Sequence, residues 1–235
     1  MPNSRLNQPT PAWLRLAATR VGRCVWLKSL GTPLFMSMFF IAYFAILRSP
    51  PSPPVQIPLT APDHWIAFQP AALIPYASLW IYVILPSALM VRLPELIGHT
   101  LGAAGLSMAG LMIFIIWPTV TPPAAIDWAA HPQMQFLKSI DASGNACPSL
   151  HVAFAVFSAF WLARMLRRVG AGSFAHTLNV LWAAIIFYST LATRQHVALD
   201  ALAGALLGWI AALINLRFCP EPSEAPDLRA AISSP

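Results

Sequence analysis

Charged residues are scarce in this sequence: Asp, Glu, Lys and Arg together make up only 9% of the 235 residues. Because soluble domains carry about 25% of these residues, the composition excludes an ordinary water-soluble domain and indicates a membrane protein. Six apolar runs approach the ~20 residues that a helix needs to cross a bilayer. We expect spans at about 30–48, 72–91, 96–117, 150–166, 174–193 and 197–216.

Cysteine is rare as well. The three copies, Cys24, Cys147 and Cys219, fit no zinc-binding spacing, and we expect no structural disulfide between them.

Acidic residues number only 8 against 14 Lys and Arg, which gives a net charge of +6. No basic face on a soluble surface accompanies this excess, so we expect no nucleic-acid partner.

The basic residues indicate the topology instead. With six spans both chain ends lie on one side of the membrane, and a cytoplasmic placement leaves only three of the 14 basic residues outside: Arg48, Lys138 and Arg194. The predicted fold class is therefore an all-α integral membrane protein, a six-transmembrane-helix bundle with cytoplasmic N- and C-termini. We expect a basic cytoplasmic segment at 1–29, the transmembrane domain at 30–217 and a disordered cytoplasmic tail at 218–235. The long basic segment ahead of the first span argues against a cleavable signal peptide.

A first polar cluster, "KSIDASGNACPSLH", occupies residues 138–151 and leads into the fourth span. Pro148 suits the start of a helix, with Ser149 near the first turn, where free N–H groups and the positive end of the helix dipole favour an anion. His151 lies less than one turn further along and can exchange a proton. Taken alone, Ser149 is better explained as a helix cap, and an interfacial histidine is the alternative for His151.

A second polar cluster, "STLATRQHVALD", occupies residues 189–200. His196 and Asp200 are four residues apart and share one face of a helix. Asp200 can accept a hydrogen bond from one ring nitrogen of His196, which leaves the other nitrogen free as a nucleophile or base. Asp200 is also the only acidic residue inside a predicted span, and such a carboxylate is a candidate for a functional site. A structural ion pair between Asp200 and Arg194 is the alternative.

Both clusters meet the outer face in this topology, because the fourth span enters from outside and the sixth begins there. The residues expected to converge on one site are Lys138, Ser149, His151, Arg194, His196 and Asp200. Two histidines, one of them held by a carboxylate, suit phosphoryl transfer: one attacks phosphorus, the other protonates the leaving oxygen, and nearby cations hold the phosphate. A zinc site at the histidines and the carboxylate is the alternative, but the neighbouring cations disfavour it. We expect no metal and no cofactor.

The two clusters also resemble a known family. Residues 148–151 resemble the P-S-x-H motif of the type 2 phosphatidate phosphatase superfamily, and residues 189–200 resemble its last motif, S-R-x5-H-x3-D. The resemblance covers about residues 72–216. "NACPSLHVAFA" is closest to the branch that includes inositolphosphotransferases, and the run Arg194-Gln195-His196 also fits that branch.

The resemblance implies a role for each matching residue. His196 would be the nucleophile that forms a phosphohistidine, Asp200 would orient it, and His151 would be the general acid. Ser149 and the backbone N–H of Leu150 would hold phosphate oxygens.

Two phosphate-holding arginines of the superfamily are missing from this sequence. The K-x6-R-P motif is absent, and the comparable place reads "WPTVTPPAAIDW". Thr190 replaces the arginine of the last motif. We expect Arg194 and Lys138 to supply the charge instead.

The activity that the resemblance implies is that of a lipid-phosphate phosphatase, acting without a metal on a lipid phosphate or diphosphate at the outer membrane face. An inositolphosphotransferase-type enzyme, with an alcohol such as inositol or a sugar as acceptor, is the alternative. A non-catalytic membrane protein that kept the motifs is a third interpretation. Without organelle signals, the sequence fits a bacterial inner membrane with the site on the periplasmic side.

Overall fold

The computed structural model describes residues 11–135 and 144–219 of the chain. Within them, six helical stretches are long and apolar enough to cross a membrane: Val25–Arg48, Pro70–Ala88, Leu93–Ile116, Leu150–Arg168, Ser173–Ala192 and Ala198–Phe218. The predicted helical membrane fold is thereby confirmed, whereas the side on which the chain ends lie stays a prediction. Lys138, the start of the N-terminal segment and nearly all of the predicted C-terminal tail lie outside the described residues.

The helices are numbered in chain order. Helix α1 (Ala12–Val21) precedes the first span, α2 (Val25–Arg48), which begins earlier than the expected position near 30. Helix α3 (Ala61–Trp65) lies in the connection that follows. The other α-helices whose two ends both lie within the described residues are α4 (Leu73–Ala77), α5 (Leu79–Tyr82), α6 (Leu85–Ala88), α7 (Leu93–Ile116), α8 (Leu150–Arg168), α9 (Ser173–Ala192) and α10 (Ala198–Phe218).

Two prolines help to divide the second span into α4, α5 and α6. Pro75 and Pro86 have no N–H, so neither can donate to the carbonyl one helical turn before it. Helix α4 accordingly follows a 3₁₀ turn at Pro70–Ala72, and α5 ends at Tyr82. The divided span brings the ring of Tyr76 against the start of α8.

Helix α8 forms the centre of the bundle. Within its membrane-spanning window 61% of the residues are buried, against 0% for α2, which lies at the periphery. Phe157 and Trp161 of α8 are almost completely buried and share one hydrophobic cluster with Phe114 of α7 and Ala212 of α10. Because α8 is packed on several sides, its N-terminal end, which carries His151, has a fixed position.

Helix α10 approaches α8 closely at two glycines, Gly204 and Gly208. A Cβ atom at these positions would collide with the backbone carbonyls of Ser149 and Ala153, respectively. Small residues four positions apart allow such close backbone contact in membrane bundles. The contact brings the start of α10 beside the start of α8, where the two sequence motifs lie.

The connections after α2 and α7 meet in a short parallel sheet. Strand β1 (Val55–Gln56) pairs with β2 (Thr119–Val120), with Val55 opposite Thr119. The hydroxyl of Thr119 also accepts a hydrogen bond from the N–H of Cys147 at 2.8 Å. The segment that lacks the superfamily's arginine motif therefore supports the loop ahead of α8.

Candidate active site

His196 and Asp200 form a hydrogen-bonded pair at the start of α10. Nδ1 of His196 lies 3.0 Å from Oδ2 of Asp200. The other carboxylate oxygen accepts a hydrogen bond from the N–H of Val197 at 2.9 Å, and Asp200 is completely buried. Because an ionised carboxylate only accepts hydrogen bonds, it favours the tautomer of the neutral ring that has its proton on Nδ1 and its lone pair on Nε2. The structure thus brings this predicted pair into contact.

A backbone hydrogen bond joins the two sequence motifs. The N–H of Ser149 donates to the carbonyl of Asp200 at 3.0 Å. Ser149 is the N-cap of α8, and its buried hydroxyl accepts a hydrogen bond from the N–H of Val152 at 3.3 Å. Leu150 is the first residue of the helix and lines the cavity described below. The helix starts that carry His151 and Asp200 are therefore fixed relative to each other.

His151 is held by aromatic rings. It stacks on Tyr76, with ring centroids 4.0 Å apart and 16° between the planes. Trp80 meets it edge-on, with centroids 6.5 Å apart at 81°. Within the part of the chain that the structure describes, Nε2 of His151 has no hydrogen-bond partner. A ring fixed by stacking, with one nitrogen unpaired, is available to exchange a proton with a bound molecule.

Both histidines line the same cavity, which has a volume of about 560 Å³. Asn145 lines it beside them, whereas most of the remaining wall is apolar and comes from α2, the divided second span, α7 and α8. The wall continues as far as Leu27 and Lys28, at the opposite end of α2. The two histidines therefore lie at one end of a long cavity whose wall is mainly apolar.

Arg194 is tied to the connection that follows α2. Its guanidinium donates from Nη1 to the carbonyl of Asp63 and from Nη2 to the carbonyl of Ile66, both at 2.7 Å. Among the described residues that line the cavity, Arg194 is not present. Its expected role in supplying charge to a phosphate is therefore still a hypothesis. Lys138, its expected companion, is outside the described residues.

Asp63 in α3 helps to hold the candidate site in place, although local sequence patterns do not point to it. Its side chain is buried, and one carboxylate oxygen accepts a hydrogen bond from the N–H of Ala198 at 2.7 Å. The other oxygen accepts from the N–H and the hydroxyl of Thr60, at 2.8 and 2.7 Å. A threonine three residues ahead of an acid is a helix-capping signature, but nothing local links it to α10. Asp63 therefore supports the N-termini of both α3 and α10.

The loop ahead of Ser149 shapes the approach to the histidines. Asn145, which local sequence patterns also did not identify, has a φ of 50° and donates from Nδ2 to the carbonyl of Tyr43 at 3.2 Å.

Burial, together with the charge of Asp200, raises the pKa of Cys147 to about 11. A thiol with this pKa stays protonated at neutral pH and is a poor nucleophile. Cys147 is therefore a neutral neighbour of the site, not a second nucleophile.

The donor set around the histidines does not resemble a metal centre. Within residues 11–135 and 144–219, no group of three or more His, Cys, Asp or Glu side chains is arranged to hold a metal ion. The oxygens of Asp200 already accept hydrogen bonds from His196 and from a backbone N–H. The arrangement offers an oriented nitrogen nucleophile and a second histidine instead.

Comparison with known proteins bears on the same part of the chain. No curated protein and no solved structure is significantly similar to the sequence. One family model matches residues 117–222, a segment that contains both polar clusters and helices α8 to α10. The match supports a phosphatase or phosphotransferase type of activity, while the inositolphosphotransferase branch is not tested by it. The matched family is the PAP2 superfamily, which confirms the resemblance to type 2 phosphatidate phosphatases for this segment.

Proposed function

We propose that this protein is a PAP2-type lipid-phosphate phosphatase that removes a phosphoryl group from a lipid phosphate or diphosphate without a metal. The observation that carries the proposal is the 3.0 Å contact between Nδ1 of His196 and Oδ2 of Asp200, beside a cavity that His151 also lines. The family match over residues 117–222 supports the same type of chemistry.

The first half-reaction forms a phosphohistidine. Nε2 of His196 attacks phosphorus, and the bond between phosphorus and the lipid oxygen breaks. His151 gives a proton to that oxygen, so the lipid leaves as an alcohol, or as a monophosphate when the substrate is a diphosphate. Asp200 offsets the positive charge that the imidazole ring acquires when Nε2 bonds to phosphorus.

The second half-reaction returns the enzyme to its starting state. His151, now neutral, takes a proton from a water molecule, and the water oxygen bonds to phosphorus. The bond between phosphorus and Nε2 of His196 breaks, and inorganic phosphate leaves. Both histidines then carry the same protons as before the reaction.

The start of α8 is the proposed cradle for the phosphate oxygens. The first N–H groups of a helix have no partner within the helix and lie at the positive end of its dipole, which stabilises an anion. The Ser149 hydroxyl accepts from Val152 and keeps its own hydrogen for a phosphate oxygen. The N–H of Leu150 is the second proposed donor, and Arg194 and Lys138 are proposed to add positive charge.

The long apolar cavity supports a lipid as the substrate. An apolar chain gains about 25 cal/mol for each Å² removed from water, and a cavity lined by Phe39, Phe40 and Phe154 offers such an environment. The phosphate group would remain at the end that carries His151 and His196. The apolar chain would extend from there toward α2.

A phosphotransferase is the second candidate function. It shares the first half-reaction, but an alcohol replaces water in the second. The motif pattern favours it, because Thr190 and the run Arg194-Gln195-His196 fit the inositolphosphotransferase branch.

Phosphoryl release from a labelled lipid phosphate tests the proposal. The purified protein is incubated with phosphatidic acid carrying a labelled phosphate, with a chelator present, and with or without inositol. Labelled inorganic phosphate as the sole product in both mixtures supports the phosphatase, whereas labelled inositol phosphate supports the phosphotransferase. Quenching in alkaline detergent should trap a labelled, acid-labile protein adduct that is absent from His196→Ala. Loss of activity on chelation, or an adduct that persists in His196→Ala, would contradict the mechanism.

We also propose that the site faces the periplasm of a bacterial inner membrane. The bias of basic residues toward the opposite side supports this orientation. Intact spheroplasts that express the protein should hydrolyse a membrane-impermeant, short-chain lipid phosphate without lysis. Hydrolysis only after lysis would reverse the orientation.

A further inference from the structure

Asn145 is a polar side chain beside both histidines that has no part in the reaction proposed above. It lines the cavity that His151 and His196 also line, and it is only 6% exposed. Its Nδ2 atom donates to the carbonyl of Tyr43 at 3.2 Å. An amide nitrogen carries two hydrogens, so this contact leaves a second N–H, which has no acceptor within residues 11–135 and 144–219. A buried amide therefore keeps one donor in the wall of the cavity.

The backbone around Asn145 is held by the segment that follows α7. The carbonyl of Thr119 accepts a hydrogen bond from the N–H of Ala146 at 3.3 Å, and the hydroxyl of Thr119 accepts one from the N–H of Cys147 at 2.8 Å. Asn145 itself has a φ of 50°, a left-handed conformation that Asn, Asp and Gly adopt more readily than other residues. The amide is therefore positioned by backbone contacts on one side and by Tyr43 on the other.

The residues that stand near the missing arginines do not offer an equivalent donor. Thr190 replaces the arginine of the last motif, and its hydroxyl donates to the carbonyl of Phe187 at 2.7 Å. Neither Thr190 nor Arg194 is among the described residues that line the cavity, whereas Asn145 is. A phosphoryl group between the two histidines needs donors for its remaining oxygens as negative charge develops on them. The side chain of Asn145 meets this need without adding a charge to an apolar wall.

We propose that Asn145 is a further catalytic residue, whose second N–H donates to a non-bridging oxygen of the phosphoryl group during transfer to Nε2 of His196. The assignment rests on the proposed function. No bond to Asn145 forms or breaks, and the amide stays neutral throughout. A donor that is already in place stabilises the developing charge without reorganisation at the moment of reaction. The contact with Tyr43 orients the side chain through one hydrogen, and the other hydrogen acts on the substrate.

Asn145→Gly removes the amide while keeping the left-handed backbone, because glycine adopts a φ of 50° at no steric cost. Release of labelled phosphate from phosphatidic acid measures the effect. We expect kcat to fall by roughly 10²–10³-fold, as for the loss of one preorganised donor to a transition state. KM should change little, because the interaction is strongest in the transition state. An unchanged kcat would overturn the proposal.

Orthovanadate separates a catalytic role from a structural one. It adopts the five-coordinate geometry of phosphorus during transfer, and such analogues bind more tightly than the ground state. The inhibition constant for orthovanadate should rise with the loss of kcat in Asn145→Gly, whereas that for inorganic phosphate should change much less. A residue that only held Tyr43 would lower Tm without this difference. Equal shifts for the two inhibitors would therefore overturn the proposal.

Two further variants complete the test. Asn145→Asp keeps the shape and tolerates the same backbone, but it replaces the N–H donors with an anion, so kcat should fall at least as far as in Asn145→Gly. It provides the test if the glycine variant does not fold, and activity close to that of the unsubstituted protein would overturn the proposal.

Asn179→Ala is the matched control. This buried amide donates to the carbonyl of Ala159 at 2.9 Å and accepts from the hydroxyl of Tyr82 at 2.6 Å, away from the described wall of the cavity. Tm should fall, and kcat should stay close to that of the unsubstituted protein. The same loss of kcat as in Asn145→Gly would overturn the assignment. If the unsubstituted protein releases no phosphate, the proposed function fails as well, whereas activity that is indifferent to residue 145 rejects this inference alone.

Discussion

The carboxylate of Asp63 accepts a hydrogen bond from the backbone N–H of Ala198 at 2.7 Å, across 135 residues of the chain. Ala198 is the first residue of α10, midway between His196 and Asp200. The backbone carbonyl of Asp63 also accepts a hydrogen bond from Arg194. One buried residue in the connection after α2 therefore holds both ends of the turn that carries His196. The orientation of the proposed nucleophile depends on this remote contact.

Replacing Asp63 with Ala should lower both stability and activity. The N–H groups of Ala198 and Thr60 lose a buried acceptor, which costs about 1–3 kcal/mol for each group. Because the turn before α10 is then less well held, kcat should fall more than KM rises. Thermal unfolding and steady-state kinetics measure the two effects. Asp127→Ala, which removes an exposed carboxylate that caps a short turn, is the matched control, and equal effects of the two substitutions would argue against the role of Asp63.

Asp200→Asn tests the contact that orients His196. The Asn side chain offers an N–H₂ donor as well as an oxygen, so the ring loses its anionic acceptor and can adopt the other tautomer. We expect kcat to fall by roughly 10²–10⁴-fold, as for other carboxylates that orient a catalytic histidine, with little change in KM. Circular dichroism checks that the variant is folded. A kcat close to that of the unsubstituted protein would remove Asp200 from the mechanism.

Local spacing predicts only the part of the site that one helix or one cap creates. The contact between His196 and Asp200 follows from a four-residue spacing, and the cap at Ser149 follows from its place before an apolar run. The six spans follow from the lengths of the apolar runs. The contacts of Asp63 and Tyr76 cannot be predicted from local spacing, because they depend on how distant segments pack against α10 and α8. The sequence likewise predicts a phosphate-binding role for Arg194, and its two carbonyl partners emerge only from the fold.

Gly204→Val should disrupt the contact between α8 and α10. Its Cβ atom has no room beside the carbonyl of Ser149, so the helices must separate, and overpacking of this kind costs about 1–3 kcal/mol. The separation also strains the hydrogen bond from Ser149 to Asp200, so kcat should fall with stability. Gly31→Val is the control, because a Cβ atom at Gly31 of α2 meets nothing within 4 Å. The same loss of Tm in both variants would show that the effect is not specific to this contact.

Arg194 is predicted to affect activity through its charge and stability through its hydrogen bonds. Arg194→Ala should raise KM and lower kcat, and Tm should fall because the carbonyls of Asp63 and Ile66 lose their donors. Arg194→Lys separates the two effects, because lysine keeps the charge but lacks the planar fork that reaches two carbonyls. We expect lysine to recover more of kcat/KM than of Tm. An unchanged kcat/KM in Arg194→Ala would exclude Arg194 from phosphate binding.

The raised pKa of Cys147 gives a chemical test of its position. Burial and the charge of Asp200 raise this pKa from 9.0 to about 11. Between these values the folded thiol keeps a proton that the unfolded chain has lost, so stability should fall as pH rises through this window. At pH 8, iodoacetamide should modify Cys147 more slowly than the exposed Cys24, as followed by mass spectrometry of peptides. In Asp200→Asn the rate at Cys147 should rise while that at Cys24 stays constant, because one of the two causes of the shift is removed. An unchanged rate at Cys147 would contradict the placement of the Asp200 carboxylate beside the loop ahead of α8.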